Sequence, residues 1–174
     1  SALAQLLPRA ESVGVKWPND ILIDGRKVCG ILCELVIDAT GAQAVVIGTG
    51  VNLTLNQSDL PVDTATSLAL AGASATDVDT VLASYLTHLR RLVRVFESAE
   101  GDARSSGLHQ EVSRLCDTLG RRIRVELPDR SVVMGHADSL DPHGQLCVTL
   151  DTPAERAGEV SVVGVGDVTH VRVI

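Results

Sequence analysis

The sequence has few aromatic residues, since its 174 residues include one Trp, one Tyr and one Phe. Three aromatic rings leave little for the base stacking by which proteins bind single-stranded nucleic acids. Basic residues are outnumbered as well: 15 Lys and Arg stand against 22 Asp and Glu, for a net charge of −7. A duplex-binding surface normally shows a basic excess, so nucleic acid is not expected as a partner. No apolar run reaches the ~18 residues of a membrane span, so no membrane partner is expected either.

The four cysteines do not have the spacing of a zinc site. Cys29 and Cys33 are separated by three residues in a strand-like run, which places both side chains on one side. Because no basic and hydrophobic leader is visible, the pattern predicts reduced, buried thiols in a cytoplasmic protein. The other two cysteines are Cys116 and Cys147.

The first part of the chain has the pattern of strands joined by short turns such as Asp24-Gly25, which favours antiparallel meander pairing. Further on, apolar residues recur at helical spacing from Val78 to Phe96, behind Thr76 as a predicted N-cap. This spacing predicts a core-facing amphipathic helix, and a second helix is predicted over Leu108–Leu119. The predicted strands are Val13–Trp17, Ile21–Ile23, Lys27–Ile37 and Ala44–Val51, and Ser67–Ala71 is predicted as a short helix.

A boundary is predicted near Gly120, because short strands separated by turns follow it. Five short strands in about 50 residues predict a small β-barrel. We therefore expect an α+β chain with one domain over residues 1–119 and a small barrel over residues 120–174. The five predicted strands are Ile123–Leu127, Val132–His136, Leu146–Leu150, Val160–Val163 and Val168–Val173.

Several motifs of known chemistry are missing. The pair Gly48-x-Gly50 lacks the third glycine of the dinucleotide fingerprint, because position 53 is Leu. The sequence has no P-loop and no nucleophile elbow, and its five His residues lack the spacing of metal ligands. We therefore expect no metal site built by the protein itself.

The segment Lys16–Asp20 lies at a strand end and contains the only Trp. Pro18 fixes φ and lacks an N–H, so it ends the strand and directs the two residues after it outward. The Asp24-Gly25 hairpin then folds the chain back, which lets Asp20 approach Lys27 at the start of the next strand. A cation can neutralise charge that develops on a carbonyl or phosphate oxygen, and a carboxylate can take a proton from an amine.

These residues resemble the catalytic domain of the biotin–protein ligases. The family signature Lys-Trp-Pro-Asn-Asp is present as Lys16–Asp20, and Lys-x-x-Gly-Ile-Leu-x-Glu follows as Lys27–Glu34. The family segment Ile-Gly-x-Gly-x-Asn is present as Ile47–Asn52. The resemblance implies a mixed or antiparallel sheet with packed helices, which is the biotin–lipoate ligase fold similar to class II aminoacyl-tRNA synthetases. It also implies that the C-terminal barrel is SH3-like.

The resemblance further implies a two-step acyl transfer. Biotin and MgATP would give biotinyl-5′-AMP, and biotin would then pass to a lysine of the biotin carboxyl carrier domain of acetyl-CoA carboxylase or a related carboxylase. Lys27 would hold carbonyl or phosphate oxygens of the adenylate, and Asp20 would orient or deprotonate the incoming lysine. The match implies biotin-binding roles for Lys27, Gly30, Ile31, Leu32, Gly48 and Gly50, and nucleotide-binding roles for Trp17, Asn19 and Asn52.

Alternatives stay open for these residues. Lys27 is also compatible with a solvated hairpin lysine, and Asp20 with an ordinary turn aspartate. Trp17 is equally compatible with an ordinary core position. Asn19 and Asn52 are also residue types that bond their own backbone in turns. Two other functions are compatible with the chain: a lipoate-type ligase, and a non-catalytic module that binds biotin or a partner protein.

Parts of the family pattern are not found in the sequence. The resemblance places a Gly/Arg-rich loop that closes over the adenylate, and a Ser/Thr and a Gln that bind biotin, upstream of Lys16. We therefore expect the chain to be the C-terminal portion of a ligase, inactive or nearly so alone, and its apolar start at Ser1–Leu7 favours this view. A DNA-binding repressor domain, present in some members, would also lie upstream. Members of the family can dimerise through strand edges, so a homodimer stays open.

Overall fold

The computed structural model describes residues 1–9 and 12–171. The chain divides into two compact units, of which the first comprises Ser1–Gly14 and Asn19–Tyr85. The second comprises Val15–Pro18 and Leu86–Ile174, so a short segment near the start of the sequence belongs to the C-terminal unit. The boundary predicted between residues 119 and 120 stays a prediction, since the two units divide the chain at other places.

The described residues form an α+β structure with two antiparallel sheets and two α-helices. The helices are α1 (Val78–Ser98) and α2 (Leu108–Leu115), and short 3-10 turns lie at Ala4–Leu6, Gln57–Asp59 and Ala154–Arg156. The strands are β1 (Val13–Lys16), β2 (Asp20–Ile23), β3 (Arg26–Ile37), β4 (Gln43–Val51), β5 (Arg122–Glu126), β6 (Val132–Leu140), β7 (Leu146–Thr152), β8 (Val160–Val163) and β9 (Asp167–His170).

The first sheet is a meander in chain order, β1-β2-β3-β4. Strand β3 pairs antiparallel with both β2 and β4, which confirms the pairing predicted from the short turns. Between β2 and β3, Asp24 and Gly25 have φ values of 48° and 74°. Two successive positive φ angles are what a two-residue type I′ hairpin requires, and Asp-Gly is a preferred sequence for it. This hairpin returns the chain from β2 to the start of β3.

The core of the first unit is aliphatic, as the scarcity of aromatic residues predicts. Val28 and Leu68 are fully buried at its centre. Leu68 lies in the turns that occupy residues 68–72, where the sequence pattern predicts a short helix over Ser67–Ala71. That helix prediction is wrong, because the backbone N–H of Leu68 donates to Asn52 and that of Ala69 to Leu53 instead of into a helical ladder. The remaining buried members of this core are Val13, Ile23, Cys29 and Val81.

The outer half of the β3–β4 hairpin exposes apolar side chains. Leu35 is 62% exposed and its cross-strand partner Val45 is 61% exposed. Cys33 is exposed on the same strand, so the prediction that all the thiols are buried is wrong there, although Cys29 and Cys116 are buried. Strand alternation predicts which side a residue faces, but not whether another element covers that side.

Helix α1 differs from its prediction in two respects, the identity of its N-cap residue and the burial of its apolar face. The N-cap is Asp77, not Thr76, because the Asp77 carboxylate accepts the backbone N–H of Thr80 at 2.9 Å. Only Val81 of its apolar stripe is buried, whereas Leu86 is half exposed. Helical periodicity identifies an apolar face but not the surface that covers it, so the prediction of a core-facing helix is not met in the described residues. Among the residues that the structure describes, no helix is both long and apolar enough to cross a membrane.

The second unit is built around a five-stranded antiparallel sheet of order β8-β7-β6-β5-β9. Its last strand returns to pair with its first, because β9 aligns Val168 with Val125 of β5. Alternate residues of these strands face a dry core, which is why Ile123, Val125, Leu146 and Val148 are at most 1% exposed. Two further core members are Trp17 and Cys116.

Several predictions for the second unit need correction. Strands β8 and β9 are the edges of the sheet, and in the described residues no pairing closes it into the predicted barrel. Helix α2 ends at Leu115 rather than Leu119, because the following residues turn to pair with Val15. Strand β9 ends at His170, and the end of its predicted range, at Val173, lies outside the described residues.

Gly135 of β6 offers a test of the close packing between β6 and β7. A Cβ placed there would overlap the carbonyl oxygen of Thr149 and come within 2.8 Å of Val148 Cγ1. We expect Gly135→Ala to lower the free energy of unfolding by about 3 kcal/mol, the upper range for overpacked sites. Gly50→Ala is the matched control, because a Cβ at Gly50 meets no atom within 4 Å. Urea unfolding of both variants measures the effect, and equal stability of the two would contradict it.

Candidate functional site

The predicted site residues meet at an irregularity between β2 and β3. Ile21 pairs with Cys29 and Leu22 pairs with Lys27, so Val28 is an extra residue without a partner on β2. Such a β-bulge interrupts the alternation of side chains along the strand. Val28 and Cys29 are consecutive yet both lie in the core. The bulge thereby turns Lys27 to the opposite side of the sheet from these two residues.

Asp20 and Lys27 form an ion pair on that side. Lys27 Nζ lies 2.5 Å from Asp20 Oδ1, and the two side chains are 48% and 17% exposed. Asp20 is the cross-strand partner of Gly30, and a Cβ at Gly30 would lie 3.5 Å from Lys27 Nζ. The structure thus brings together the two predicted catalytic residues, with the bare backbone of Gly30 directly beside them.

Two more glycines extend this surface across the sheet. Gly50 is paired with Gly30, and Gly48 with Leu32, so these residues share the face that carries Asp20. A Cβ at Gly50 would meet nothing within 4 Å, and one at Gly48 only the Leu32 carbonyl oxygen at 3.7 Å. We call the surface formed by Gly30, Gly48 and Gly50 the glycine floor. It lets a flat ligand approach the sheet backbone closely.

Ile31 is the one predicted biotin-binding residue whose side chain points away from this face. It lies between Gly30 and Leu32 on β3, so strand alternation turns it to the opposite side, where it packs against the core of the first unit. Its backbone N–H and carbonyl both bond to Asn19, at 2.9 Å and 2.8 Å. Any part of Ile31 in ligand binding is therefore restricted to its backbone.

The two predicted nucleotide-binding asparagines are held by backbone groups. Asn19 donates through Nδ2 to the Ile31 carbonyl, which extends the β2–β3 pairing by one position. Asn52 donates through Nδ2 to the Thr66 carbonyl at 2.9 Å, and its backbone N–H donates to the Val28 carbonyl at 2.8 Å. Both side chains bond to a distant strand or loop rather than to their own turn. Their roles toward a nucleotide stay predictions.

Residues 64–67 clamp the start of β3, and the sequence analysis missed them. The Lys27 N–H donates to the Thr64 carbonyl and the Thr66 N–H donates to the Lys27 carbonyl, both at 2.8 Å. Thr66 and Ser67 are buried, and the Ser67 hydroxyl donates to the Leu55 carbonyl. Because the contacts with Lys27 are made by the backbone, neither spacing nor periodicity could have identified them.

Trp17, which was predicted to line a nucleotide site, belongs to the second unit. Its side chain is 5% exposed and belongs to the core of the second unit. The indole Nε1–H donates to the Gly144 carbonyl at 2.9 Å, and the backbone N–H donates to Thr118 Oγ1 at 3.0 Å. The structure thus gives Trp17 the core position that the sequence left open, and its nucleotide-binding role stays a prediction.

The titratable groups beside the ion pair do not form a metal site. Burial raises the pKa of the Cys29 thiol, an effect that the Lys27 charge opposes and the Asp20 charge reinforces. A raised thiol pKa disfavours the nucleophilic thiolate, so Cys29 acts as a core residue. Among the residues that the structure describes, no three His, Cys, Asp or Glu side chains are arranged to hold a metal ion.

Comparison with known proteins agrees with this geometry. Residues 4–52, which include the ion pair and the glycine floor, match the model of the Biotin/lipoate A/B protein ligase family. The chain is 35% identical over 170 residues to the biotin--[acetyl-CoA-carboxylase] ligase of Mycobacterium tuberculosis, covering 95% of this chain and 56% of that protein. The chain is a relative of the biotin–protein ligases. The resemblance inferred from the motifs is therefore confirmed.

Two further known proteins are similar to the chain, one in sequence and one in fold. The bifunctional ligase/repressor BirA of Escherichia coli is 30% identical over 146 residues, which are 82% of this chain and 43% of that protein. The biotin protein ligase of Aquifex aeolicus, solved with biotin and ATP, has the same fold with a TM-score of 0.67 and 20% identity. That match covers 99% of this chain and 72% of the solved chain. The chain spans about half the length of the two curated relatives named above.

His170 is a half-buried ionisable group of the second unit whose lowered pKa makes stability depend on pH. Burial lowers its pKa, the nearby charges of Arg121 and Lys16 lower it further, and Asp117 opposes them. Since the unfolded chain binds this proton more readily, the contribution of His170 to stability is fully present above its unfolded pKa of ~6.5 and is lost as pH falls through the lower folded pKa.

We therefore expect the free energy of unfolding to fall between pH 7.5 and pH 5, and to fall less in His170→Gln. Urea unfolding at several pH values measures both curves. His143→Gln, which alters an exposed histidine of the same unit, is the control and should follow the unsubstituted chain. Parallel curves for the unsubstituted chain and His170→Gln would contradict this assignment.

Proposed function

We propose that the full-length protein is a biotin–protein ligase that forms biotinyl-5′-AMP from biotin and ATP and transfers biotin to a lysine. The observation that carries the proposal is the Asp20–Lys27 pair beside the glycine floor. It combines a cation, a carboxylate and open backbone on one face of a sheet. The sequence identity to ligases and the family match over residues 4–52 support the same reaction.

In the first step, a carboxylate oxygen of biotin attacks the α-phosphorus of ATP. A phosphorus–oxygen bond forms, the bond to the β-phosphate oxygen breaks, and pyrophosphate leaves. Negative charge develops on the non-bridging oxygens of the α-phosphate and on the departing pyrophosphate. The ammonium group of Lys27 stabilises this charge, which is the kind of preorganised electrostatic stabilisation that lowers such barriers.

In the second step, the amine of the acceptor lysine attacks the carbonyl carbon of the mixed anhydride. A carbon–nitrogen bond forms and AMP leaves with the electrons of the broken carbon–oxygen bond. A free lysine has a pKa of ~10.4, so it must lose a proton before or during the attack. The Asp20 carboxylate orients this amine and takes its proton, while the adenylate oxygens replace Asp20 as the partner of Lys27.

The glycine floor binds biotin, together with the side chain of Leu32 and the backbone of Ile31. Leu32 is 62% exposed on the same face, so it can pack against an apolar part of a ligand. Asn19 and Asn52 contribute to the nucleotide side of the site. Mg²⁺ enters as part of its complex with ATP, since this ion is commonly held through substrate phosphates and waters rather than by a protein cage.

The remaining parts of the proposal concern the second unit and the partners. We infer an SH3-like domain, because the order β8-β7-β6-β5-β9 brings the last strand back beside the first, as in a curled sheet. The acceptor is the biotin carboxyl carrier domain of acetyl-CoA carboxylase or a related enzyme, and the reaction is cytoplasmic. A homodimer through a strand edge belongs to the same proposal.

Biotin-dependent exchange between ATP and labelled pyrophosphate tests the proposed reaction. We expect exchange with biotin in the full-length gene product. Exchange with lipoate but not biotin would indicate a lipoate-type ligase, and biotin binding without exchange would indicate a binding module. Either result would overturn the proposal.

Lys27→Ala should suppress adenylate formation in the full-length protein by a factor of about 10²–10³, because it removes the cation at the reacting oxygens. The measurement is the biotin-dependent exchange rate at saturating biotin and ATP. Arg26→Ala is the matched control, since it removes an exposed cation from the preceding position of the same strand. A Lys27→Ala rate near that of the unsubstituted enzyme would show that Lys27 does not act on the adenylate.

Asp20→Asn should lower transfer to the acceptor lysine by a factor of about 10² and affect exchange much less, because only transfer needs the base. Single-turnover transfer from preformed biotinyl-5′-AMP, compared with exchange, separates the two steps. Asp24→Asn, at an exposed aspartate of the hairpin paired with Arg9, is the control. Equal losses in both steps would assign Asp20 another role.

A further inference from the structure

The clamp, residues 64–67, holds the backbone of Lys27 at a point that β4 does not reach. Strand β4 ends at Val51, before the position opposite Lys27. The Lys27 N–H donates to the Thr64 carbonyl and the Lys27 carbonyl accepts the Thr66 N–H, both at 2.8 Å. Because both backbone polar groups of Lys27 bond to the clamp, the clamp fixes the point and the direction from which this side chain leaves the strand.

Ser67 anchors the clamp to the loop that follows β4. Its side chain has no exposed surface. The hydroxyl donates to the Leu55 carbonyl at 2.8 Å and accepts the Leu70 N–H at 3.2 Å. Both bonds are partly buried, so losing the hydroxyl that they share has a cost that water only partly offsets. The residue that follows Thr66 is therefore fixed in place by its own side chain.

Asn52 is another anchor of the clamp. Its Nδ2 donates to the Thr66 carbonyl and its own carbonyl accepts the Leu68 N–H, both at 2.9 Å. Asn52 is itself proposed to bind the nucleotide, so a substitution there would alter the site directly. Ser67 is buried and belongs to no proposed binding surface, so a substitution at Ser67 can reach Lys27 only through the clamp.

The placement of the Lys27 ammonium group depends on its backbone. This group lies 2.5 Å from Asp20 Oδ1, and the side chain that carries it is 48% exposed. An ammonium group on a flexible four-carbon stem is placed by the fixed end of that stem and by its partners. A displacement of about 1 Å in a group that stabilises developing charge can lower a rate by a factor of about 10².

We propose that Ser67 is a positioning residue for adenylate formation, which holds the clamp so that Lys27 leaves β3 in the direction required to meet the reacting oxygens. The inference rests on the proposed function and concerns its first step. Ser67 touches neither substrate, and it acts through the backbone bonds of Thr64 and Thr66 to Lys27. Loss of its hydroxyl should therefore slow adenylate formation while biotin and ATP still bind.

Amide hydrogen exchange of the full-length protein tests whether Ser67 holds the clamp. In Ser67→Ala we expect the Lys27 and Thr66 amides to exchange about tenfold faster, because the clamp opens locally more often. The Ile31 amide, which donates to the Asn19 carbonyl further along β3, should change less than about twofold. Equal acceleration of all three amides, or no acceleration of any, would overturn the inference.

Pyrophosphate exchange tests whether the clamp matters for the reaction. In Ser67→Ala we expect kcat of biotin-dependent pyrophosphate exchange to fall about tenfold, with KM for biotin and for ATP changed less than about twofold. Ser84→Ala is the matched control, because the Ser84 hydroxyl also donates to a backbone carbonyl of the first unit, that of Ala2 at 3.1 Å. Its kcat should stay within about twofold of the unsubstituted value.

A double-mutant cycle with Lys27→Ala separates positioning from a general structural role. If Ser67 acts through Lys27, then Ser67→Ala should lower kcat less than about twofold in the Lys27→Ala protein, because the group that it positions is already gone. A merely structural role would lower kcat by the same factor in both backgrounds. That result would overturn the inference.

Ser67→Cys provides a second variant in case Ser67→Ala fails to fold. It keeps a small side chain at the position and replaces the hydroxyl with a weaker donor and acceptor. We expect the same pattern at reduced size, with kcat lowered about threefold and KM unchanged. Pyrophosphate exchange at the unsubstituted rate in Ser67→Cys and in any folded Ser67→Ala would overturn the inference.

These outcomes separate the inference from the proposed function. If the unsubstituted full-length protein shows no biotin-dependent pyrophosphate exchange, the ligase function fails and the role of Ser67 in the reaction fails with it. If that protein is active and Ser67→Ala behaves like Ser84→Ala, only the positioning role of Ser67 is overturned.

Discussion

The bulge at Val28 is the constraint on which the candidate site depends. In a regular ladder, Lys27 and Gly30 would face opposite sides of β3, because they are separated by an odd number of positions. The extra residue reverses this parity, so that Lys27 shares a face with Asp20 and Gly30. The same residue fills the core with its side chain and accepts the Asn52 N–H with its carbonyl. Burial and charge placement are therefore set by one local irregularity.

The two faces of this sheet serve opposite purposes. On one face, aliphatic side chains of β2 and β3 pack into the core of the first unit and fix the strands. On the other, Gly30, Gly48 and Gly50 leave the backbone open beside a cation and a carboxylate. Glycine weakens strand interiors, and the clamp formed by residues 64–67 compensates by holding β3 at Lys27 through its backbone. A packed core therefore lies behind the open surface, and backbone hydrogen bonds hold the strand at its edge.

Local patterns predicted the meander, its Asp24-Gly25 turn, the main helix and the approach of Asp20 to Lys27. The motif spacing predicted the resemblance to biotin–protein ligases, which sequence comparison confirmed. The bulge, the clamp and the position of Trp17 in the second unit could not be predicted in this way. Each depends on backbone groups or on partners about 100 residues away, such as Thr118, which leave no periodic trace in the sequence. For the same reason the exposure of Cys33 and of the α1 apolar face was not foreseen.

Each of the two units is built from two separate segments of the chain, which limits where the polypeptide can be cut into fragments. The second unit takes Val15–Pro18 from the middle of the first, and the first resumes at Asn19. No single cut of the polypeptide can separate the units, because any C-terminal fragment that starts after Pro18 lacks Trp17 and leaves a hole in its own core. An N-terminal fragment would carry that large apolar side chain without its partners. A single cut after Pro18 therefore leaves the core of the second unit incomplete.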